Sequence, residues 1–425
     1  MTRDSAGPSR RSVLRAGAAA VATGGLSAYA ACLERSGNDL PRGPEDVSGY
    51  PERQHAWNDV LGRDDAGNVV PPRHRTLLLC DLRGSPDAAA RRAVEASLRG
   101  VERAYQRGAD GLLVTVAYSP GYFARHFDAT AAGVDLPPPE PLAPFEDPTL
   151  DDPDALVHLA SDHPRAVLGA EEALRGTNDT LNGVPQPGTA LADHLAIRER
   201  RTGFVGAGLP AEHADVADVS ADAVSDEAPL FMGFKSGLRS NQATEDRVTI
   251  GSGPFAGGST LHLSHLSLDL SQWYEQDSRY QRVAKMFCPH HAETGAVEGV
   301  GANLGTDSGV DDCRPTAEAA REVGVVGHTQ KTARARTDDD EPVILRRDFD
   351  STDGETPGLH FLSLQREIGD FVATREAMNG TDVAADSAVG QRTNNGILQY
   401  LRTLRRGNYL LPPRAHRALP RPAPG

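Results

Sequence analysis

Short apolar runs that alternate with stretches of helical spacing constrain the fold of this chain more than any other feature. Residues 75–82 and 111–117 are dense in Leu and Val and predict two strands. Between them, residues 88–107 carry apolar side chains at the spacing that places them on one face of a helix. Residues 156–174 predict another strand followed by a helix. Beyond the N-terminus, none of these runs is long enough to cross a bilayer.

The second half of the chain has a similar arrangement, although no direct sequence repeat links the halves. A strand is predicted at 259–270 and a helix at 271–287, before a Gly- and Asp-rich excursion that ends near residue 327. Residues 342–345 and 358–364 predict two more strands, and 367–378 predicts a helix. Strand–helix–strand units in both halves indicate antiparallel sheets with flanking helices, an α+β arrangement.

The N-terminus has the residue pattern of a signal peptide. Residues 9–15 contain a pair of arginines, Arg10 and Arg11, and a small-residue apolar stretch follows at 16–31. This pattern is typical of a twin-arginine export signal, and the alternative is a basic arm beside a short helix. Cys32 follows two alanines, as in lipoprotein processing sites, but Tyr29 fits that pattern poorly. Membrane attachment through a lipid on Cys32 therefore stays open.

The charge of the chain restricts its partners. A formal net charge of -15 argues against nucleic acid, because binding phosphates needs a basic face. The chain has only three lysines, Lys235, Lys285 and Lys331, and its other basic residues are Arg. An acidic, Lys-poor surface is typical of haloarchaeal proteins, which work at high salt. A codon bias toward Arg explains the scarcity of Lys almost as well.

The four cysteines divide into different environments. Cys80 lies in an apolar run and is predicted to be a buried thiol. Cys288 and Cys313 either form a disulfide or are two unrelated thiols. Cys288 also opens a segment with His290 and His291 that could bind zinc or copper. The irregular spacing favours a surface loop instead.

Among the fourteen histidines, His328 differs by its context. It follows a Gly-rich approach, and an apolar strand ending in Arg346 and Arg347 comes after it. A neutral imidazole is the commonest axial ligand of haem iron, and a guanidinium can polarise a bound peroxide. From these residues alone, a structural histidine remains the favoured interpretation. His262 and His265, three apart on a predicted strand, are interpreted as structural.

Taken together and in order, several segments resemble the dye-decolourising (DyP-type) haem peroxidase family. The resemblance covers roughly residues 70–415. Its segments are 117–123, 156–164, 233–237, 257–273, 327–328, 345–347 and 358–366. Each motif is weak alone, and their shared order is moderately specific.

The resemblance implies a fold and a site. The fold is two ferredoxin-like domains in a dimeric α+β barrel-like arrangement, with haem b held mainly by the second. His328 is then the proximal iron ligand and Arg346 the distal arginine, with Arg347 as the less favoured choice. Gly233, Phe234 and Gly237 belong to the segment that falls at the family's Gly-x-x-Asp-Gly motif, beside the cofactor.

One departure from the family concerns Ser236, which stands where the family carries its distal Asp. A carboxylate there can shuttle the proton of peroxide, whereas a serine hydroxyl only donates or accepts a hydrogen bond. Haem binding is unaffected by this change, but peroxidase turnover then depends on Arg346. The alternative for this segment is a tight turn that needs Gly at both ends.

Three functions follow from these observations. The first is an exported haem peroxidase that reduces hydrogen peroxide and oxidises an unidentified organic donor. The second is an extracytoplasmic haem carrier or sensor with little catalysis, and the third is a haem-free interaction domain of the envelope on the same fold. A homo-oligomer is compatible with all three.

The predicted organisation has five segments. A signal peptide at 1–31 precedes a partly disordered linker at 32–70, and folded structure is expected to begin near Arg75. An N-terminal ferredoxin-like domain at 71–230 and a haem-binding one at 231–415 follow, with a tail at 416–425.

Overall fold

The computed structural model describes residues 40–215, 219–220, 223–354, 356–385 and 387–424. The arginine pair and Cys32, on which the export and lipid-anchor predictions depend, lie outside the described residues. The chain forms two units, Met1–Leu40 and Pro41–Gly425, and the second contains all of the secondary structure given below. Among the described residues, no helix combines the length and the apolar character needed to cross a membrane.

Twelve strands occur in the described part of the chain. They are β1 (His74–Leu82), β2 (Leu113–Tyr118), β3 (Thr149–Leu150), β4 (Ala155–Ser161), β5 (Thr180–Leu181), β6 (Val184–Pro185), β7 (Leu195–Phe204), β8 (Ser259–Leu268), β9 (Leu345–Arg346), β10 (Phe349–Ser351), β11 (Gly358–Gln365) and β12 (Leu401–Leu411).

The helices of the same residues vary in length from one turn to nearly five. They are α1 (Ala88–Ala104), α2 (Pro120–Phe127), α3 (Pro164–Arg175), α4 (Leu209–Glu212), α5 (Arg279–Met286), α6 (Pro289–Thr294), α7 (Thr316–Glu322), α8 (His328–Thr332), α9 (Ile368–Asn379) and α10 (Thr381–Ala384). A π-helical turn (Gln272–Gln276) and single 3-10 turns, including Val310–Asp312, complete the set.

The main sheet closes into a barrel. Its strands pair antiparallel in the order β10–β7–β1–β4–β2–β12–β8–β11, and β11 pairs back with β10. The first half of the chain contributes β7, β1, β4 and β2, and the second contributes the rest. The halves meet at two narrow seams, where Leu410 lies opposite Tyr118 and Asp350 opposite Phe204. This architecture confirms the predicted α+β, barrel-like fold.

The two faces of the barrel strands have different neighbours, because successive side chains of a strand point to opposite sides. Leu261 and Leu263 of β8 belong to a core that also contains buried residues of β1, β4, β11 and β12. Helices cover the other face of the sheet. In the first half α3 packs on β1 and β4, and in the second half α9 packs on β8 and β11.

The N-terminal linker prediction is wrong for the described part of that segment. Trp57 is 2% exposed, and its indole Nε1 donates a hydrogen bond to the carbonyl of Gln54 at 3.0 Å. The Gln54 amide donates to the carbonyl of Pro412 at 2.8 Å. Packed structure therefore begins well before Arg75. Isolated apolar residues in a Gly- and Pro-rich stretch give no periodic signal.

Two long strands carry charged residues, so they lack the apolar pattern that predicts a strand. Strands β7 and β12 are not predicted from the sequence. Residues 203–204 end β7, and residues 205–206 follow that strand. Arg201 of β7 forms a buried ion pair with Asp151 at 2.8 Å, and Arg406 of β12 forms one with Glu146 at 2.7 Å. The predicted helix at 271–287 is also interrupted, since Asp277 adopts an extended conformation between the π-helical turn and α5.

Candidate functional site

A cavity of about 330 Å³ lies in the second half of the structure. Its walls are side chains from the outer faces of β8 and β11 and from α8 and α9. Many of them are apolar, among them Phe234, Leu266, Phe287, Leu359, Phe361 and Phe371. Its charged side chains are mainly arginines. A concave, largely apolar pocket with a few polar groups is the usual form of a cofactor site.

Helix α8 presents His328 to this cavity. The helix lies against the end of α5, and a Cβ on Gly327 would come within 1.6 Å of the carbonyl oxygen of Phe287. Only glycine allows this close approach. The side-chain oxygen of Gln330 accepts a hydrogen bond from the Gly327 amide at 3.0 Å, and its amide nitrogen donates to the carbonyl of Arg314 at 2.6 Å. The histidine therefore sits on a short helix anchored at its first turn.

The imidazole of His328 is available as a ligand. Its Nδ1 is buried and has no hydrogen-bond partner among the described residues, while part of the side chain is accessible from the cavity. Burial lowers the pKa of His328 to about 3, and the positive charges of Lys331, Arg346 and Arg375 act in the same direction. The ring is therefore neutral at ordinary pH, which is the form that binds a metal ion.

Within the described part of the chain, no acidic group acts on His328 as the partner that often orients an axial histidine. The charged groups that act on its pKa are all cationic, and Lys331 is the strongest of them. Lys331 is completely buried, and its Nζ donates to the backbone carbonyls of Met378 and Asn395. This lysine holds α8 against the end of α9 and, through its charge, makes the imidazole a weaker base.

The segment around Arg346 alternates between the two faces of the barrel. Arg346, Asp348 and Asp350 all line the cavity. Arg347 points the other way, where its guanidinium lies 4.5 Å from the Trp57 ring centroid and pairs with Glu245 at 2.9 Å. The structure therefore brings Arg346 to the cavity with His328 and leaves Arg347 in a buried ion pair elsewhere.

Ser236 contacts Arg346 directly. The Nη1 of Arg346 donates a hydrogen bond to the Ser236 hydroxyl at 3.2 Å. Gly233 and Gly237 have φ angles of +81° and +75°, so the segment is also a tight turn that needs Gly at both ends. Phe234, Ser236 and Gly237 line the cavity, whereas Gly233 is not among its lining residues.

Two carboxyl groups at the cavity were missed in the sequence. Asp348 and Asp350 follow Arg346 at two-residue spacing, and this period could have revealed them. Asp350 is fully buried, its Oδ2 accepts a hydrogen bond from the Phe231 amide at 2.6 Å, and its Oδ1 has no partner. Burial raises the pKa of Asp350 well above its usual value and so favours the neutral carboxyl.

Glu146 was also missed, and it comes from the first half of the chain. It accepts hydrogen bonds from both Arg406 and Arg375 and from the Thr403 hydroxyl, the last at 2.9 Å. Burial would raise its pKa, but the guanidinium groups of Arg375 and Arg406 outweigh burial and hold the pKa at about 2. Glu146 therefore joins a loop of the first half to the cavity wall as a buried anion.

The remaining candidates lie away from the cavity lining. Cys288 and Cys313 form a disulfide with a Cα–Cα distance of 6.3 Å, and Cys80 is a buried free thiol. His262 is buried, hydrogen-bonded to Asn408 at 2.7 Å and stacked on a phenylalanine, as a structural histidine should be. His265 stacks against His360 at 4.4 Å between ring centroids.

Solved structures establish the relationship of the fold. A dye-decolorizing protein from V. cholerae is 17% identical, with 85% of this chain and 99% of that chain covered and a TM-score of 0.52. The encapsulated DyP-type peroxidase of Mycobacterium smegmatis is 13% identical, with 86% and 100% covered and a TM-score of 0.55. A haem-bound DypB variant from Rhodococcus jostii is 16% identical, with 86% and 97% covered and a TM-score of 0.57. These neighbours confirm the expected DyP-type fold.

Comparisons at the level of sequence identify a family without a known activity. No curated protein matches the chain. A model of a family of unknown function, DUF7405, matches residues 72–413, which include every cavity residue discussed above. The chain therefore belongs to the DUF7405 family.

Proposed function

We propose that this protein binds haem b in the cavity and uses it to reduce hydrogen peroxide while oxidising an organic donor. The observation that carries the proposal is the neutral, unpaired imidazole of His328 in the same apolar cavity as Arg346. The fold adds support, since the neighbouring structures include DyP-type peroxidases and one variant in complex with haem.

The residues at the cavity fit haem. His328 offers a neutral nitrogen ligand, and the apolar side chains suit a flat porphyrin. Arg336, Arg392 and Arg402 also line the cavity and could pair with the two carboxylates of the cofactor. When bound, haem would supply the redox-active iron that the reduction of peroxide needs.

The protein's own part in the reaction is to hold peroxide and move its proton. Arg346 stays charged and donates several hydrogen bonds, so it stabilises negative charge that develops on oxygen. Its bond to Ser236 fixes the direction of the guanidinium. Ser236 itself is too weak an acid to exchange the proton at neutral pH.

We assign the proton transfer to the carboxyl groups that share a face with Arg346. Burial favours the protonated form of Asp350 and its Oδ1 has no partner among the described residues, so it can donate a proton. Asp348 lies between Arg346 and Asp350 on the same face and is the second candidate. Two carboxyl groups in this segment would thus compensate for the serine at 236.

A haem titration tests the proposal. Haem added to the full chain at high salt should give a sharp, shifted Soret band, and His328→Ala should lose it. The matched control is His163→Ala, at the start of α3 in the other half of the barrel, which should keep the band. A parent spectrum identical to that of free haem would exclude the proposal.

Turnover is tested separately from binding. Arg346→Ala should keep the Soret band and lose most peroxidase activity, as removal of a charge-stabilising donor typically costs about 10²- to 10³-fold in rate. Asp350→Asn and Asp348→Asn should each be compared with it. Full activity in both Asn variants would refute a proton-transfer role for these carboxyl groups.

A specific observation favours the alternative of a haem carrier or sensor. Ser236 stands where the DyP-type family carries its distal Asp, and the charged groups that act on the pKa of His328 are cationic, whereas an acidic partner would increase its basicity. The variant Ser236→Asp discriminates the two functions. A large gain in peroxidase rate would indicate a site without effective catalysis in the parent, and an unchanged rate would favour a working site that uses Asp348 or Asp350.

The proposal includes export by the twin-arginine route, to the outer face of the membrane or beyond. It rests on the sequence pattern around Arg10 and Arg11, with Cys32 as a candidate lipid attachment site. Replacing both arginines by lysine should retain the protein inside the cell, as fractionation and blotting would detect.

A further inference from the structure

A second group of metal-ligand side chains lies outside the haem cavity lining, at the start of α6. Cys288 is the residue before α6, His291 lies within that helix, and Cys313 follows the 3-10 turn Val310–Asp312. The two sulfur atoms and a ring nitrogen of His291 all lie within 4.8 Å of one another. Cys288 is completely buried and His291 is 3% exposed.

The hydrogen bond of His291 determines which nitrogen is free. Its Nε2 lies 2.9 Å from the carbonyl oxygen of Gly309. A carbonyl oxygen only accepts, so Nε2 carries the proton and Nδ1 carries the lone pair in the neutral ring. Nδ1 is buried and has no hydrogen-bond partner in the part of the chain that the structure describes. Histidines that bind metal ions are commonly oriented in this way, by a backbone carbonyl on the opposite nitrogen.

Once the disulfide is reduced, the two cysteine sulfurs and the histidine nitrogen are suitable ligands for a thiophilic ion. Thiolate sulfur and imidazole nitrogen are ligands of Zn²⁺ and Cu⁺. Two sulfurs bound to one ion at about 2.3 Å each lie no more than about 4.6 Å apart. The Cα–Cα distance of 6.3 Å allows this separation through rotation of the two side chains. Asp312, beside Cys313, adds a negative charge near His291.

We propose that reduction of the Cys288–Cys313 disulfide creates a three-ligand site for one thiophilic d¹⁰ ion, with Nδ1 of His291 as the third ligand. A dithiol supplies two electrons and two protons, and its own sulfurs become a disulfide. The Cys288–Cys313 bond breaks to give two thiols, and each loses its proton when its sulfur binds the ion. The site is independent of haem and of the proposed peroxidase function.

Metal titrations of the full chain test this site. The protein is reduced without oxygen by a phosphine, which does not compete for the ion as a dithiol does. Zn²⁺ alone and Cu⁺ alone are then titrated separately against a chromophoric chelator. One equivalent of at least one ion should bind to the reduced chain and none to the oxidised chain, and the two titrations identify the preferred ion.

Matched variants locate the ligands. His291→Ala should weaken binding by at least about 10-fold, whereas His290→Ala, on the neighbouring residue of the same helix, should bind like the parent. Cys80→Ala should also bind like the parent, which excludes the buried thiol. Equal uptake by reduced and oxidised protein, or parent-like affinity in His291→Ala, would overturn the proposal.

Thermal unfolding of the reduced protein gives a second readout if reduction loosens the loop. The preferred ion should raise the Tm of the reduced parent, because it binds the folded site, and should not raise that of the double variant Cys288→Ala/Cys313→Ala. Equal responses of the two proteins, or no response in a reduced parent that keeps its circular dichroism spectrum, would refute the site.

Discussion

The two halves of the barrel have the same strand–helix architecture but different space beneath their helices. In the first half, Leu98 of α1 and Leu174 of α3 are both completely buried, and so is Leu78 on β1. In the second half, β8 and β11 face a cavity of about 330 Å³, which helices α8 and α9 also line. The sheet is continuous across both halves, so the strands alone do not create the site.

The difference comes from how the helices are held. Long α1 and α3 pack on each other over the first half. In the second half α8 has five residues and is anchored to α5 through Gly327 and to the end of α9 through Lys331. These polar and backbone contacts support α8 without filling the space beside it. In this chain, the attachment of one short helix, α8, leaves open the space that forms the cavity.

The largest effect on stability is expected from comparing Arg346 and Arg347, neighbouring residues whose side chains lie on opposite faces of the barrel wall. Arg347→Ala should reduce the free energy of unfolding by about 3–5 kcal/mol, because it leaves the largely buried carboxylate of Glu245 without its guanidinium partner. Arg346→Ala, facing the cavity, should cost less than about 1 kcal/mol. Chemical denaturation of both variants measures this, and similar losses would contradict the assignment of the two faces.

Truncation of leucines compares the halves directly. Leu98→Ala in the filled half should cost about 2–5 kcal/mol of unfolding free energy, since it opens a hole in packed surroundings. Leu266→Ala borders the existing cavity and should cost about 1 kcal/mol in the haem-free protein. If Leu266→Ala proved as costly, the cavity would not be open in solution.

Filling the cavity should make the second half resemble the first. Thr374 on α9 lines the cavity, and Thr374→Phe should weaken haem binding roughly 10- to 100-fold through overlap with the cofactor. Leu168→Phe is the matched control, since Leu168 on α3 of the filled half is exposed to solvent. Soret titrations of both variants give the comparison. Undiminished haem binding by Thr374→Phe would show that haem binds outside this cavity.

Per pH unit, the smallest expected effect is the pH dependence that His328 contributes to the stability. Its pKa is about 3 in the folded chain and about 6.5 in the unfolded chain. The unfolded state therefore binds more protons between these values, and this part of the stability is lost as the pH falls from about 6.5 toward 3.

His328→Gln should consequently have a shallower loss of unfolding free energy below pH 6.5, by at most about 1.4 kcal/mol per pH unit. Denaturation at several pH values measures the slope in the haem-free protein. His163→Gln provides the comparison from the other half. A variant slope identical to that of the parent would show that His328 is not protected in the folded state.

Sequence reasoning succeeded where one local period dominates. Strands β1, β2, β4 and β8 and helix α1 follow from apolar spacing, and their order pointed to the fold. It failed for β7 and β12, because their charged residues are paired with partners far away in the sequence. The same limit applies to Glu146, whose role depends on two arginines more than 200 residues later.

The site could be predicted only where a residue type and a short motif coincide. The order of motifs placed His328 and Arg346 together as candidates, and both line the cavity. The choice between Arg346 and Arg347 needed the direction of each side chain, which a one-residue shift reverses. Asp350 could have been found from its period with Arg346, while the state of Cys288 and Cys313 required their distance in space.

If the cavity binds haem as proposed, the buried contacts of Glu146 should make this binding depend on both halves of the chain. Its loop, between α2 and β3, places Phe145, Glu146 and Asp147 at the cavity of the other half. A fragment of residues 231–415 would lack this wall and would leave Arg375 and Arg406 buried without their carboxylate. Haem would therefore be retained only by molecules in which both halves are folded and joined.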